Sequence, residues 1–396
     1  MPMNDRVSPS VIVAPRPVAG EFAVVRPDRA RTELLPGRAT AVPAADPAAP
    51  LLLAAAVETL TEARLQAFMR WGGAPRLLLT AERLHTLQPL PVAGARSLAL
   101  PASPDDGTLA MLQRLAAVMP GRVDPAVLDG AQPATTTMDA ALDLARRARL
   151  TPALLVCELP AGARDALQAA QVLRLSELDV RAAQAVPVPA LRRVSDARVP
   201  IAAHDDCTLV LFREIDGAAE HVAVLFGPPP VDPAQPVHVR LHSSCLTGDL
   251  LGSRRCDCGD QLHDAIEHLA QAGGVLLYLA QEGRGIGLAN KLRAYRLQDG
   301  GLDTLDADRH LGFRDDERDF GAAVAMLQLL HITRIRLLTN NPDKIESLRR
   351  GGIDVVDRVP LVAPVNAHNA RYLQTKRDRA GHLGHADDDG SRSAAG

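Results

Sequence analysis

The sequence has few aromatic residues and little net charge. Phe, Trp and Tyr together make up 3% of the 396 residues, and the formal net charge at pH 7 is -3. A net charge this small gives no electrostatic reason to expect nucleic acid or a membrane surface as a partner. Ala, Arg, Leu and Val carry the bulk of the composition, which we interpret as a coding bias and not as a functional signal.

Long apolar runs are absent as well. No stretch approaches the roughly 18 apolar residues of a membrane-spanning helix, and the first residues show no basic-then-apolar signal pattern. Only five cysteines are present, and three of them are clustered, so they do not form a disulfide framework. Cysteine usage of this kind fits a reducing cytoplasm.

Helix and strand patterns alternate along the chain, and the composition changes once. The segment 21–197 is rich in Ala, Leu and Pro, whereas the segment 198–384 is dense in His, Cys, Asp, Arg and Gly. We expect two domains of the α/β (α+β) class, the second with a mixed sheet. Residues 1–20 and 385–396 have little to bury, and we expect both ends to be disordered.

Three cysteines fall in one short segment with the spacing C-x10-C-x-C: Cys245, Cys256 and Cys258. Thiolates this close in sequence can bind one metal ion, and three obvious ligands leave the open fourth position that is typical of catalytic zinc. The sequence therefore predicts a zinc hydrolase site. The alternative is a structural site, made by the cysteines alone or completed by His242 or His263.

Three polar loops accompany the cysteines. A glycine-rich turn at 281–287 follows a buried strand and opens a helix, a charged run at 310–319 overlaps a helix predicted over 317–330, and 338–344 leads from a strand into a helix. Glycines, helix N-termini and arginines among carboxylates suit phosphate. Each loop alone is also compatible with a plain turn, a solvated face or a capped helix start. Together with the cysteines, the loops favour a hydrolase acting on a phosphorylated or nucleotide substrate.

Long motifs follow one another between residues 240 and 383: RLHSSCLTGDLLGSRRCDCGDQL, YLAQEGRGIGLANKLRAYRLQD, LDTLDADRHLGFRDDERDFG, IRLLTNNPDKIESL and NARYLQTKRDRAGHL. In this order they resemble GTP cyclohydrolase II, an enzyme family of riboflavin biosynthesis. The resemblance implies hydrolysis of GTP to 2,5-diamino-6-(5-phosphoribosylamino)pyrimidin-4(3H)-one, formate and diphosphate. It also implies one Zn²⁺ per subunit, Mg²⁺ with the GTP triphosphate, a homodimer and a cytoplasmic location, without nucleic acid or membrane as a partner.

By the same resemblance, the three cysteines match the zinc ligands, and an activated water attacks C8 and opens the imidazole ring. Arg318 matches the residue that attacks the α-phosphate, Asp316 its proton acceptor and Tyr295 an active-site tyrosine. The positions that match substrate contacts are Arg240, Leu241, His242, Ser243, Ser244, Gln261, Glu282, Gly283, Arg284, Thr304, Thr339 and Lys344. Because the pKa of arginine is very high, electrostatic stabilisation of phosphoryl transfer by Arg318 stays an alternative to covalent attack.

One position departs from the family pattern. Before the first zinc cysteine the family has Ser-Glu-Cys, where this chain has Ser243-Ser244-Cys245. The glutamate is a contact of the substrate loop, so its loss changes the expected affinity. We expect an active enzyme, since the zinc and catalytic positions are kept. The alternatives are a nucleotide-binding protein without turnover and an enzyme that stops at a formyl intermediate.

The first half resembles 3,4-dihydroxy-2-butanone 4-phosphate synthase in the layout of AFMRWGGAPRLLLTAERLHTLQPLP and TTMDAALDLARRARLTPALLVCELP. The acidic metal loop of that synthase is replaced by AVPAADPAAPLLLAAA, and its His-Thr-Glu-Ala segment reads TMDA at 137–140. Glu158 is present, but Mg²⁺ lacks its acidic-loop and histidine ligands. We therefore expect a degenerate domain with a structural or dimerising role, the alternative being a bifunctional enzyme.

Overall fold

The computed structural model describes residues 21–46, 48–88, 93–101, 105–184, 188–215, 219–228, 235–361 and 379. The ends predicted to be disordered, 1–20 and 385–396, lie outside these ranges, as does most of the last motif. Within the described ranges, no helix is long and apolar enough to cross a membrane. The described residues form a mixed α/β protein, as the sequence predicted, and its strands make two seven-stranded sheets.

The first sheet has the strand order β5-β4-β3-β6-β2-β1-β7. Its strands are β1 (Thr40–Pro43), β2 (Leu51–Ala56), β3 (Arg76–Leu79), β4 (Arg96–Ala99), β5 (Gln132–Pro133), β6 (Ala153–Leu159) and β7 (Leu173–Arg174). The helices of this half are α1 (Glu21–Leu34), α2 (Glu62–Met69), α3 (Ala81–Leu87), α4 (Thr108–Leu115), α5 (Thr136–Arg147), α6 (Arg164–Ala169) and α7 (Glu177–Gln184). All strand pairs are antiparallel except β1 with β7.

Both faces of the first sheet are buried, as the apolar run of β2 requires. Alternate residues of a strand point to opposite faces. Leu53 belongs to one apolar cluster, whereas its neighbour Leu52 belongs to another that includes residues of α5. Helix α5 begins where the Thr135 hydroxyl accepts a hydrogen bond from the Met138 amide, which is the usual role of an N-cap threonine. This helix therefore lies fixed against the sheet.

The second sheet has the strand order β14-β13-β11-β12-β10-β9-β8. Its strands are β8 (Leu191–Arg198), β9 (Cys207–Glu214), β10 (Glu220–Phe226), β11 (Val237–Ser243), β12 (Gly274–Leu279), β13 (Arg334–Leu338) and β14 (Asp354–Val359). The helices of this half are α8 (Cys258–Ala272), α9 (Gly287–Asp299), α10 (Thr304–His310), α11 (Gly321–Leu329) and α12 (Pro342–Arg350). Strand β8 crosses the domain boundary predicted at 197–198 and pairs with β9 in this sheet.

Strands β11, β12 and β13 place the polar loops together. They are neighbours and run parallel, so their carboxyl ends meet at one edge of the sheet. The cysteine loop follows β11, the glycine-rich turn follows β12, and the segment that starts at Thr339 follows β13. Ligand sites of open α/β sheets form at this edge, so the topology brings together loops that are far apart in sequence.

The helix predicted over 317–330 begins later, at Gly321. The prediction was wrong for its first turn because side chains there bond to the backbone. Asp319 Oδ1 accepts a hydrogen bond from the Gly321 amide at 2.8 Å, and Asp316 Oδ1 accepts one from the Arg318 amide at 2.9 Å. Short polar side chains compete with helix formation in this way. The stretch is therefore a loop that carries Arg318.

Gly274 opens β12 at a point without room for a side chain. Its φ is +134°, and a Cβ there would lie 2.3 Å from the His238 carbonyl oxygen and 2.8 Å from Leu269 Cδ2. We expect Gly274→Ala to lower the free energy of unfolding by about 2 kcal/mol or more in urea denaturation. Gly301→Ala is the matched control, because Gly301 also has a positive φ, +106°, but nothing within 4 Å of its Cβ position. Equal losses in both variants would contradict the steric explanation.

Candidate active site

The loops at the carboxyl edge of the second sheet enclose a cavity of about 360 Å³. The predicted site residues that line it are Arg240, His242, Ser243, Ser244, Cys245, Cys256, Cys258, Gln261, Glu282, Gly283, Arg284, Tyr295, Thr304, Asp316, Arg318, Thr339 and Lys344. Leu241 is not among them. Its side chain is fully buried in the core, and its carbonyl oxygen accepts a hydrogen bond from Lys344 Nζ at 2.8 Å.

The three cysteine sulfurs form a compact cluster. All lie within 4.8 Å of one another, and the Sγ atoms of Cys245 and Cys256 are 3.7 Å apart. Sulfurs bound about 2.3 Å from a tetrahedral zinc lie about 3.8 Å from one another. Cys245 and Cys256 are buried, whereas Cys258 is partly exposed. The cluster therefore fits a metal ion with one coordination position left for another ligand.

Gly248 leaves room for the sulfurs. It lies in a single turn of π-helix, Leu246–Leu250, a rare element that is frequent at functional sites. A Cβ on Gly248 would lie 2.9 Å from Cys245 Sγ and 3.0 Å from Cys256 Sγ. Its own amide donates a hydrogen bond to Cys245 Sγ at 3.3 Å. A residue without a side chain is thus required where the loop folds over the cluster.

Asp249 fixes the start of the cysteine loop. Its Oδ2 accepts hydrogen bonds from the Cys245 amide at 2.9 Å and from the Tyr278 hydroxyl at 2.8 Å. His242 Nε2 lies 3.1 Å from the same carboxylate, and burial lowers the pKa of His242. His263 contacts a carbonyl oxygen of its own helix. Among the described residues, neither histidine joins the cysteine cluster.

Lys291 is a site residue that the sequence analysis missed. Its Nζ lies 3.0 Å from Cys245 Sγ and 2.9 Å from Thr247 Oγ1. It also lies 2.7 Å from Glu282 Oε1. Burial lowers the pKa of Lys291, but the contacts with Glu282 and Cys245 outweigh burial and raise it overall, so a cation stands beside the sulfurs. A signal was present, since Lys291 precedes Tyr295 by four residues on the same face of α9.

Arg318 and Asp316 form an ion pair on the loop before α11. The guanidinium Nε lies 2.9 and 3.1 Å from the two carboxylate oxygens. The Phe320 ring supports the guanidinium, with its centroid 5.3 Å from Arg318 Cζ. Burial raises the pKa of Asp316, but Arg318 outweighs burial and holds this pKa below its usual value. The cavity thus contains a fixed guanidinium next to an ionised carboxylate.

Arg284 and Asp308 form a second, more buried pair. Arg284 has a φ of +58°, which residues other than glycine adopt rarely. Its guanidinium donates a hydrogen bond to the Asp315 carbonyl oxygen at 3.3 Å and lies 3.6 Å from Asp308 Oδ2. Burial raises the pKa of Asp308 to about 7. Backbone strain and a shifted carboxyl pKa are frequent at functional sites, and no local sequence signal marked Asp308.

Arg240 and Lys344 bring two further cations to the cavity. Arg240 donates hydrogen bonds to the Leu338 carbonyl oxygen at 3.0 Å and to Gln261 Oε1 at 2.8 Å. Burial lowers the pKa of Arg240 to about 10, so it stays a cation at neutral pH. Lys344 lies in the first turn of α12, with its Nζ 5.6 Å from the Phe320 ring centroid. Both residues are buried.

Several polar atoms of the cavity wall are left without a hydrogen bond. Among the described residues, the buried atoms His242 Nδ1, Ser243 Oγ, Gln281 Oε1 and Arg240 Nε have no partner. All four residues line the cavity. Buried polar groups are almost always paired, so these atoms indicate a place where a polar ligand or water binds.

The smaller predicted residues sit at the ends of elements. Thr339 Oγ1 accepts a hydrogen bond from the backbone amide of Asn341 at 3.0 Å. Thr304 is the first residue of α10, after the Asp303 cap. Ser244 donates its amide proton to a carbonyl oxygen of β12 at 2.8 Å. The backbone therefore fixes these three positions at the cavity wall.

Known proteins of similar sequence point to one family. A family model for GTP cyclohydrolase II matches residues 192–360. A GTP cyclohydrolase-2 from Azospirillum brasilense is 43% identical over 373 residues, which cover 92% of this chain and 95% of that protein. A GTP cyclohydrolase-2 from Cronobacter sakazakii is 51% identical over 194 residues, which cover 49% of this chain and 97% of that protein.

One solved structure aligns with most of this chain, at low similarity. RibBX, a two-domain 3,4-dihydroxy-2-butanone 4-phosphate synthase from A. baumannii, covers 86% of this chain and 100% of its own at 16% identity, with a TM-score of 0.32.

The fold and the site define a class of protein: an α/β enzyme in which three cysteines that could hold a metal ion share a cavity with several arginines and two lysines. The Azospirillum relative matches nearly the whole of both chains at 43% identity. The chain belongs to the GTP cyclohydrolase II family and is a hydrolase. This confirms the family that the sequence motifs predicted.

Metal content tests the cysteine cluster. We expect the purified protein to hold about one zinc ion per chain and Cys256→Ser to lose most of it, because a hydroxyl is a far weaker zinc ligand than a thiolate. Inductively coupled plasma mass spectrometry gives the metal content. Cys207→Ala is the control, since Cys207 is a buried cysteine outside the cluster. Unchanged zinc in Cys256→Ser would contradict the site.

Asp308 gives the stability of the protein a pH dependence. Its pKa is raised from 3.8 to about 7 in the folded chain. Between these values the unfolded chain has released the proton while the folded chain keeps it, so stability falls as pH rises and levels off above pH 7. We expect the melting temperature of Asp308→Asn, which cannot ionise, to fall less than that of the wild type between pH 4 and 7. Parallel melting curves across this range would contradict the shift.

Proposed function

We propose that this protein hydrolyses GTP to 2,5-diamino-6-(5-phosphoribosylamino)pyrimidin-4(3H)-one, formate and diphosphate, the first step of riboflavin biosynthesis. The observation that carries the proposal is that the cysteine cluster and the Arg318–Asp316 pair line the same cavity. A cavity with both a metal site and several cations suits a substrate that reacts at its base and at its triphosphate. Membership of the GTP cyclohydrolase II family supports GTP as that substrate.

We propose Zn²⁺ as the metal of the cysteine cluster, one per subunit, because thiolates select zinc over harder cations. When bound there, zinc supplies Lewis-acid activation of water for attack at C8. Lys291 Nζ donates a hydrogen bond to Glu282 Oε1 at 2.7 Å and lies beside Cys245. The two side chains are therefore placed to transfer protons during ring opening. Burial raises the pKa of Tyr295, so its hydroxyl keeps its proton and donates a hydrogen bond to the reacting base.

Arg318 and Asp316 are the proposed catalytic pair for release of diphosphate. The ion pair keeps the guanidinium charged and oriented, which supports stabilisation of the charge that develops on the transferring phosphoryl group. Covalent attack by Arg318 would require Asp316 to take a proton from a group of very high pKa. We therefore propose the electrostatic role.

We propose that the other lining residues bind the substrate. Arg240, Arg284 and Lys344 would contact phosphate oxygens, since charge-assisted hydrogen bonds to phosphate are strong. The unpaired atoms of His242 and Ser243 would receive polar groups of the purine or ribose. Mg²⁺ would arrive with the triphosphate, whose oxygens are ligands that it prefers. The remaining predicted contacts are Ser244, Gln261, Glu282, Gly283, Thr304 and Thr339.

We also propose two folded domains between the ends 1–20 and 385–396. The boundary predicted at 197–198 moves to a point before β8, because β8 (Leu191–Arg198) pairs with β9 in the second sheet. The first folded domain is proposed to be similar to the synthase but without its activity. We also propose a homodimer, supported by two adjacent leucines of the cysteine loop, Leu250 and Leu251, which are 73% and 70% exposed and which a second copy would cover. All five cysteines lie in the described ranges and none is disulfide-bonded, which fits the cytoplasm.

Mass analysis of the products tests the function. With GTP, Zn²⁺ and Mg²⁺, we expect the wild type to release formate and diphosphate, and Arg318→Ala to lower kcat by about 100-fold or more, because the charge that develops on phosphorus loses its stabilising cation. Arg336→Ala is the matched control, since Arg336 is exposed on β13 and does not line the cavity.

The products also separate the alternatives. Intact GTP after incubation with zinc-loaded wild type would contradict the proposal and leave a binding protein. A formylated product would indicate an enzyme that stops after ring opening. Equal kcat in Arg318→Ala and Arg336→Ala would remove Arg318 from the mechanism.

A further inference from the structure

The two halves of the chain meet at the loops that carry the site. We propose that the N-terminal half positions the active site, because the segment around the end of α5 holds the turn 281–287, helix α9 and the loop of Arg318. The positioning residues are Arg146, Arg149 and Thr151. This inference rests on the proposed function and assigns the first half a part in it.

Arg149 joins the end of α5 to the glycine-rich turn. Its guanidinium donates a hydrogen bond at 2.6 Å to the carbonyl oxygen of Ala280, which directly precedes the turn. Gly287, at the other end of the turn, packs on the stem of this arginine, since a Cβ there would lie 3.2 Å from Arg149 Cβ. Arg149 has a φ of +56°, an unfavourable conformation that persists only where surrounding contacts fix it. Both ends of the turn are thus tied to Arg149.

Asn290 of helix α9 also contacts the segment after α5. It is fully buried, and its side-chain amide donates hydrogen bonds to the carbonyl oxygens of Arg149 at 2.8 Å and Ile286 at 3.0 Å. Its Oδ1 accepts a hydrogen bond from the Thr151 hydroxyl at 3.3 Å. Because Asn290 directly precedes Lys291, displacement of this amide moves the cation that contacts the cysteine cluster.

Glu317 carries a separate contact to the catalytic loop. Its carboxylate lies 3.5 Å from Arg146 Nε of the first half. Its amide donates a hydrogen bond to the Arg284 carbonyl oxygen at 3.1 Å, and Gly285 passes so close that a Cβ there would lie 2.7 Å from the Glu317 carbonyl oxygen. Arg318 follows Glu317 directly. Arg146 therefore contacts the loop that carries Arg318, and this loop is itself hydrogen-bonded to the turn 281–287.

These contacts are particular to a chain with a first half. The Cronobacter relative corresponds over 97% of its length to only 49% of this chain, and the family match begins at residue 192. A protein of that length has to hold its loops by its own residues, whereas this chain uses residues of α5 and beyond. The first half is therefore a structural part of this active site and not only an attached domain.

Arg149→Ala tests the inference in the full chain. We expect kcat for formate release to fall about tenfold, since misplaced catalytic groups slow chemistry strongly, while zinc content and melting temperature stay near those of the wild type. Arg149→Lys keeps a donor and should recover part of kcat. The matched control is Arg70→Ala, which removes an exposed arginine at the end of α2 and should leave kcat unchanged.

A second pair of variants covers the case in which Arg149→Ala does not fold. Thr151→Val removes only the hydroxyl that contacts Asn290, and Thr151→Ser keeps it. We expect Thr151→Val to lower kcat and Thr151→Ser to retain more of it. Rescue by the hydroxyl distinguishes positioning from loss of packing, because valine has nearly the volume of threonine.

Hydrogen exchange tests the same inference without turnover. Residues 281–287 and 314–319 should exchange faster in Arg149→Ala, or in Thr151→Val, than in the wild type and in Arg70→Ala. If wild-type protein released no formate, the proposed function would fail, and the exchange rates would still decide this inference. Unchanged exchange, together with kcat within about twofold of wild type in every variant that folds, would overturn it.

Discussion

Three cysteine sulfurs held within 4.8 Å of one another are the constraint on which the site depends. Thiolates at this distance repel one another unless positive charge is close. Lys291 Nζ lies 3.0 Å from Cys245 Sγ, and α8 begins at Cys258, so the positive end of a helix lies at the cluster. Gly248 gives the sulfurs space, and Asp249 fixes the backbone of the first ligand. A metal ion bound at the cluster would complete this compensation.

The parallel strands determine where the cations of the cavity lie. Arg240 starts inside β11, and the loops after β12 and β13 reach the same edge of the sheet. Arg318 and Arg284 each lie near a carboxylate, which holds the guanidinium in place. Arg240 donates instead to neutral oxygens, so these hydrogen bonds orient its charge without neutralising it. A triphosphate entering the cavity would meet cations that are already oriented, and little reorganisation would be needed.

The sequence predicted what depends on local pattern, and it missed what depends on tertiary contact. Cysteine spacing, the glycine-rich turn and the order of the motifs sufficed for the family, and every predicted site residue except Leu241 lines the cavity. Asp308 was missed because the charged groups around it come from other elements, whereas the spacing of Lys291 to Tyr295 was a signal in the sequence that was overlooked. The start of α11 was misplaced because the Asp319 side chain competes with the helix. Leu241 shows the converse, since a residue within a matching motif has its side chain in the core.

The surface of the first half is joined to the second half by buried polar contacts. Arg83 donates hydrogen bonds to the carbonyl oxygens of Leu115, at the end of α4, at 2.8 Å and of His310, at the end of α10, at 3.1 Å. One buried guanidinium thus caps a helix from each half. The Thr80 hydroxyl donates to the Gly312 carbonyl oxygen at 2.9 Å. Separation of the halves would leave these buried groups without their partners, which is costly, so the contacts of the first half are part of the stability of the whole chain.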